Sequence, residues 1–270
     1  MTELIHFLDE RASLHGESRF PESNFQEHKY EFRSDSFDER SDLNICVLGC
    51  SMALGVGVLY HETWASRLKQ HIEDDLGKSC SIWNLSTGGS GVDWCSEVFH
   101  KWAPKLKPDI SIIQWSDITR RSIVHNRHIQ KVMLGDNSQD DHDYDYSEKR
   151  KSLIKLQSFS NDLYHWYKNY LITYYISKSY NLNTLHILPN QFSFTREGVR
   201  KGSLVKFKDY PDQSMDLKYC MQDSNWVDYH TTIDDYTDHE ENGSHPGPHA
   251  NKNTGKKVFE ILLEKKWINK

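Results

Sequence analysis

A serine follows a short apolar run in VLGCSMALGVGV, residues 47–58. NICVLG (Asn44–Gly49) has the make-up of a buried parallel strand, so Ser51 leaves its carboxyl end, where sheets of this kind bind ligands. A hydroxyl there, with backbone N–H groups nearby to hold an oxyanion, suits attack on an acyl carbonyl. Three better-known loops do not fit. Ala53 breaks the Gly-x-Ser-x-Gly elbow, no Gly-Lys-Ser/Thr follows for a phosphate loop, and Tyr60 stands where a dinucleotide fingerprint needs its third glycine. A plain strand-to-helix turn also accounts for these residues.

Two further stretches carry chemistry. NLSTGGSG (Asn84–Gly91) follows a strand-like run, and its glycines leave backbone N–H groups unobstructed. It reads equally as a βα loop that caps the next helix, and one loop can do both. ENGSHPGPHA (241–250) places His245 in a stiff, proline-rich loop before the last helical pattern. An imidazole titrating at ~6.5 suits a general base, though a lone surface histidine is the plainer reading. The order serine, then histidine, fits a nucleophile and base brought together by a sheet. A metal site is not expected. Pro246 and Pro248 exclude a helical pairing of His245 and His249, with His239 further off. Asp141, Asp143 and Asp145 begin a calcium-loop pattern that fails at Tyr146 and Ser152.

The elements that must position these residues come next. Apolar runs at Asn44–Gly49, Ser81–Leu85, Asp109–Trp115 and Thr184–Pro189 read as four strands. Trp64, Leu68, Ile72 and Leu76 recur every four residues, predicting a helix over 60–76. Val92, Cys95, Val98, Phe99 and Trp102 make a second helix, and a stripe from Leu153 to Tyr174 a third. A final helix is expected from Asn253 or Thr254, either as its cap, through Trp267. Strands alternating with helices describe a parallel sheet covered on both faces. Residues 1–42 read as a polar extension whose last part is surface loop, followed by one domain over 43–270. Insertions are expected at about 125–150 and 191–240.

Composition narrows the function. The 270 residues hold 33 Lys+Arg and 39 Asp+Glu, a net charge of -6, without the basic density that nucleic acid rewards. No apolar run approaches the ~18 residues of a membrane span, and the N-terminus has no long apolar signal core. Five cysteines without CxxC spacing point to a reduced, cytoplasmic protein. The sequence is silent on oligomeric state.

With these features in order, the chain resembles the SGNH (GDSL-like) hydrolases over roughly residues 44–120 and 182–265. Gly49-Cys50-Ser51 corresponds to the Gly-Asp-Ser block, with Cys50 in place of the aspartate; only one of two adjacent residues faces a pocket, and the correspondence to the family favours Ser51 over Cys50 as the nucleophile. The second block's glycine corresponds to Gly89, five residues after Asn84, with Gly88 the alternative. Gln114-Trp115-Ser116-Asp117 stands for Gly-x-Asn-Asp, so Ser116 replaces the oxyanion asparagine. Asn242-Gly243-Ser244-His245 stands for Asp-x-x-His, leaving Asn242 at the place of the orienting acid. Asp238, Glu240 or Glu241 is an alternative source of that carboxylate.

The resemblance implies an α/β fold, a three-layer α/β/α sandwich with a parallel sheet and flavodoxin-like architecture. It also implies a cofactor-free serine esterase acting on a small-molecule or carbohydrate O-acyl ester. Ser51, His245 and Asn242 would be catalytic, and Ser51, Gly89 and Ser116 would form the oxyanion hole. Trp115, Asp117 and Arg120 are expected substrate contacts; a surface ion pair is the alternative for the charged ones. The two substitutions weaken catalysis in principle: one lost oxyanion donor costs ~2.7–4 kcal/mol, and a lost triad acid ~10⁴ in turnover in chymotrypsin-type enzymes. A catalytically weak scaffold that binds carbohydrate or serves a structural role is therefore the alternative, and an acyltransferase shares the same nucleophile.

Overall fold

The strand order of the main sheet is β2-β1-β3-β6-β9, with β1 spanning Leu43–Leu48, β2 Cys80–Asn84, β3 Ile110–Gln114, β6 Asn183–Ile187 and β9 Asn225–Val227. Counted along the chain, this is the 2-1-3-4-5 order of the flavodoxin-like doubly wound fold. The expected α/β class, a parallel sheet flanked by helices, is the observed one. The structure, a computed structural model, describes residues 33–38, 40–125, 128–133, 151–152, 155, 159–188, 193–195, 198–200, 225–227 and 245–269. It divides into two units, one comprising 1–88, 108–111 and 231–270, the other 89–107 and 112–230.

In the first unit β1 is buried along its whole length and pairs in parallel with β2, Leu43 opposite Cys80 and Val47 opposite Asn84. After β1 come a single turn of helix, α1 (Ser51–Leu54), a 3-10 turn at Tyr60–Glu62, and α2 (Trp64–Leu76). Trp64, Leu68 and Ile72 are buried as their spacing predicts, while Leu76 is half-buried. The helix begins four residues later than expected because Thr63 caps it, accepting from the Ser66 N–H at 3.2 Å.

The last helix, α5 (Pro248–Glu264), packs on α2. Gly255 permits the close approach: a Cβ there would lie 2.7 Å from Arg67 Cβ and 2.8 Å from the Trp64 carbonyl oxygen. The expected cap at Asn253 or Thr254 is corrected. Pro248 opens the helix behind Gly247, and Thr254 is buried within it, donating to the Ala250 carbonyl at 2.9 Å. Proline has φ preset for a first turn and lacks only an N–H that would be unpaired there.

The end of the polar extension is also corrected. Arg33 and Ser34 are buried, and residues 33–36 lie along β2, the edge strand in the order above. The Asp35 N–H donates to the Ile82 carbonyl at 2.9 Å, and the Ile82 N–H returns a bond to Asp35 Oδ2 at 2.8 Å. Ser34 Oγ accepts from the Asn84 N–H, and the Trp83 indole donates to the Ser36 carbonyl. The segment thus satisfies backbone groups that an edge strand would otherwise expose.

In the second unit α3 (Val92–Leu106) packs against α4 (Phe159–Ser179), with Ser96 Oγ 2.5 Å from Asn169 Oδ1. The Trp115 N–H donates to the Ile187 carbonyl at 3.0 Å, carrying the pairing past β3. β6 and β9 pair in parallel, Leu185 opposite Asn225. Strand β9 therefore adds a fifth strand from within the stretch read as an insertion. Two antiparallel pairs complete the described elements, β4 (Arg120–His125) with β5 (His128–Met133), and β7 (Ser193–Thr195) with β8 (Gly198–Arg200). The acidic excursion at 134–150, most of 191–240 and Cys220 lie outside the described residues. No described helix is long and apolar enough to cross a membrane.

Candidate active site

Ser51 stands where the apolar run predicts, past the tip of β1, as the first residue of α1. Cys50 is extended and 7% exposed, whereas Ser51 is half-buried. The thiol is enclosed and the hydroxyl's residue keeps access to solvent, an asymmetry that favours Ser51 as the reacting group.

The turn is held from three sides. Gly55 closes α1 in the left-handed conformation (φ 77°), and its N–H and that of Val56 both donate to the Ser51 carbonyl at 3.0 Å. Glycine is required twice over, because a Cβ would come within 2.3 Å of Thr63 Cγ2. From the N-terminal segment the Arg33 guanidinium donates to the Gly55 and Val58 carbonyls, the latter at 2.9 Å. Burial brings the Arg33 pKa down to about 10, which still leaves it charged at neutral pH. From the end of β2, buried Asn84 donates to the Ala53 carbonyl at 2.9 Å and accepts from the Ser86 N–H. The Thr87 N–H then reaches the Gly49 carbonyl at 3.2 Å, tying the second loop to the strand tip.

His245 belongs to the same unit and is half-buried, three residues before α5 begins. Its loop is fixed by Asn251, whose Nδ2 donates to the Pro246 and Gly247 carbonyls at 2.9 Å each while Oδ1 accepts from the Trp64 N–H at 3.0 Å. One buried amide thus joins the histidine loop to the start of α2, next to the Thr63 that packs on Gly55. Replacing Asn251 by leucine is expected to lower stability by about 2–3 kcal/mol, since the Trp64 N–H and the Pro246 carbonyl lose their partner in the interior, while the Gly247 carbonyl keeps the backbone N–H of residue 251. Urea unfolding measures this. Asn242, Asp238, Glu240 and Glu241 lie outside the described residues.

Gly89 of the second block and the residues of the third block lie in the second unit and have separate fates. Gly89 adopts φ 67°, a conformation that suits glycine. Ser116 is buried, and its Oγ has no hydrogen-bond partner among the described residues. Asp117 Oδ1 accepts from the Thr119 N–H at 2.8 Å and its hydroxyl at 2.7 Å, building the turn after β3. Trp115 is 2% exposed and its indole is taken up in packing. It stacks on His186 with the ring planes 7° apart, meets Trp166 edge-on, and donates to His186 Nδ1 at 3.2 Å.

That last bond fixes the His186 proton on Nε2, and burial pushes its pKa down to about 3. A lowered folded-state value contributes stability that is full above the unfolded pKa of ~6.5 and lost as pH falls toward 3. Stability should therefore begin to drop below pH ~6.5, earlier than carboxylates alone dictate. Urea midpoints against pH should show that early limb flattened in His186→Gln.

A charged cluster braces the same unit. Burial raises the Asp93 carboxyl, but His165 Nε2 at 2.7 Å, the Ser122 N–H and Asn169 together outweigh it and hold the carboxyl below the usual range. Arg121 Nη2 pairs with buried Asp162 at 2.6 Å.

No protein-family model and no curated protein matches the sequence. Solved structures do resemble it. TesA is 11% identical over 83% of this chain and 99% of its own, with a TM-score of 0.49. The psychrotrophic esterase EstA from Pseudoalteromonas sp. is 12% identical, over 85% and 100% respectively, with a TM-score of 0.48. The lipase/acylhydrolase from Enterococcus faecalis is 12% identical, over 83% and 96%, with a TM-score of 0.47.

Proposed function

We propose that the protein is a serine-dependent ester hydrolase acting on O-acyl groups, carbohydrate esters among them. Ser51 Oγ attacks the acyl carbonyl while His245 takes its proton. Asn242, or a carboxylate near it in sequence, holds the far ring nitrogen. The tetrahedral intermediate expels the alcohol, which takes its proton from the imidazolium, and leaves an acyl-Ser51. Water, deprotonated by His245, then releases the acid. Gly89 and Ser116 are the oxyanion donors in the block correspondence.

The observation that carries this reading is the placement of Ser51. It follows the carboxyl end of a buried strand and keeps solvent access. Its turn is pinned by Arg33, Gly55 and Asn84, and His245 lies in the same unit on a loop anchored by Asn251. Such anchoring is what a reacting pair needs, because small displacements of reacting groups cost large factors in rate. Cys46, Cys50 and Cys80 are free, buried thiols, which fits a reducing compartment such as the cytoplasm.

The test is turnover of para-nitrophenyl acyl esters and O-acetylated sugars, in wild type and in Ser51→Ala. A pre-steady-state burst of alcohol before slower steady turnover is expected if deacylation limits the rate. The replacement of the oxyanion asparagine by Ser116 favours a second reading, a carbohydrate-binding scaffold without turnover. Saturable binding of acetylated sugars with no acid released would select it.

A further inference from the structure

Buried side-chain polar atoms without a partner are uncommon in native proteins, and a local concentration of them calls for an explanation such as a missing ligand. Residues 114–122 hold such a concentration. Among the described residues, both amide atoms of Gln114, which is 1% exposed, have no hydrogen-bond partner, nor do Ser116 Oγ, Arg121 Nε and Ser122 Oγ. Arg120 adds a charge to the set. Its Nε and Nη1 are shielded from solvent and unpartnered.

The neighbouring anions are already engaged. Asp162 pairs with Arg121, and Asp93 with His165, Asn169 and the Ser122 N–H. Asp117 Oδ1 serves Thr119. Arg120 is nonetheless firmly placed. Its N–H donates to the Asp117 carbonyl at 3.1 Å, closing the turn that follows Ser116. Its carbonyl oxygen would be 2.6 Å from a Cβ on Gly91, so its backbone rests on the loop that carries Gly89. A guanidinium on a half-buried residue with a fixed backbone, two of its donors withdrawn from water, is suited to an oxyanion that is not part of the chain.

We propose that Arg120 binds a carboxylate or phosphate group. The chain's net charge of -6 makes such recognition local, since the overall field does not attract anions.

The experiment titrates succinate and, separately, inorganic phosphate into the full chain carrying Ser51→Ala, at constant ionic strength, with calorimetric detection. Saturable binding of at least one anion is expected, weakened about 10- to 100-fold by Arg120→Gln and less by Arg120→Lys. Which anion binds identifies the group. Unfolding of Arg120→Gln is measured alongside, and a midpoint no lower than that of the parent is expected for a cation with no partner. No saturable binding, equal affinity in the Arg120→Gln form, or a marked loss of stability on that change would overturn the anion site.

Discussion

Ser51→Ala is expected to reduce ester turnover by about 10³-fold or more, and His245→Ala by a similar factor. The two should not compound. A nucleophile and its base act as one unit, so the double replacement should cost about as much as either alone. Additive losses would mean that the residues serve separate steps. Folding should be little affected by Ser51→Ala, because the bonds that build the turn use the Ser51 carbonyl and leave its side chain out. Circular dichroism and urea midpoints equal to those of the parent would show that the loss is chemical. Cys50→Ala provides the contrast: if Cys50 were the nucleophile, that change would abolish turnover instead.

Arg33→Ala should be the most destabilising single change at the site, by about 3–5 kcal/mol. A large buried side chain is removed, and the Gly55 and Val58 carbonyls lose a charged donor. Burial of the guanidinium itself is unfavourable, as its lowered pKa shows, so part of the loss is offset. Arg33→Lys should fall between, because an ammonium cannot reproduce the planar fork. Turnover per folded molecule should also drop, since the carbonyls concerned end α1 and the turn behind it. Unchanged stability in Arg33→Ala would mean that residues 33–36 do not dock against β2 in solution.

Much of this arrangement can be read from residue types. β1, β2, β3 and β6 are short, largely apolar runs bounded by turn residues, and all of their residues but Asn183 are buried. Helix α2 is legible from Trp64, Leu68 and Ile72. Strand β9 is not, because three residues, Asn225–Val227, are too few to display a period. The β4–β5 hairpin also escapes, since its strands are separated by Asn126-Arg127, without the glycine that marks most two-residue turns.

Arg33 and Asp35 sit in a run of charged and polar residues, where nothing local distinguishes a buried arginine from solvated ones. Their role follows from tertiary contact alone. Asn84 and Asn251 adjoin the motifs but serve by anchoring backbone carbonyls, a task open to any polar residue of the right length. A signal for Asn251 does exist: it stands in the first turn of a helix opened by Pro248, on the face that α2 covers. The positions of Gly49–Ser51 at the end of β1 and of His245 ahead of the last helix are legible because glycine, serine and proline mark the ends of elements.

The most direct measurement of the central claim is the site of a covalent adduct. After incubation with an alkyl fluorophosphonate, the intact chain should gain the mass of one phosphonyl group, and peptide sequencing should place it on Ser51. The adduct should be absent in Ser51→Ala and strongly slowed in His245→Ala. A chain that stays unmodified across a range of pH, or a label that persists in Ser51→Ala, would contradict the account.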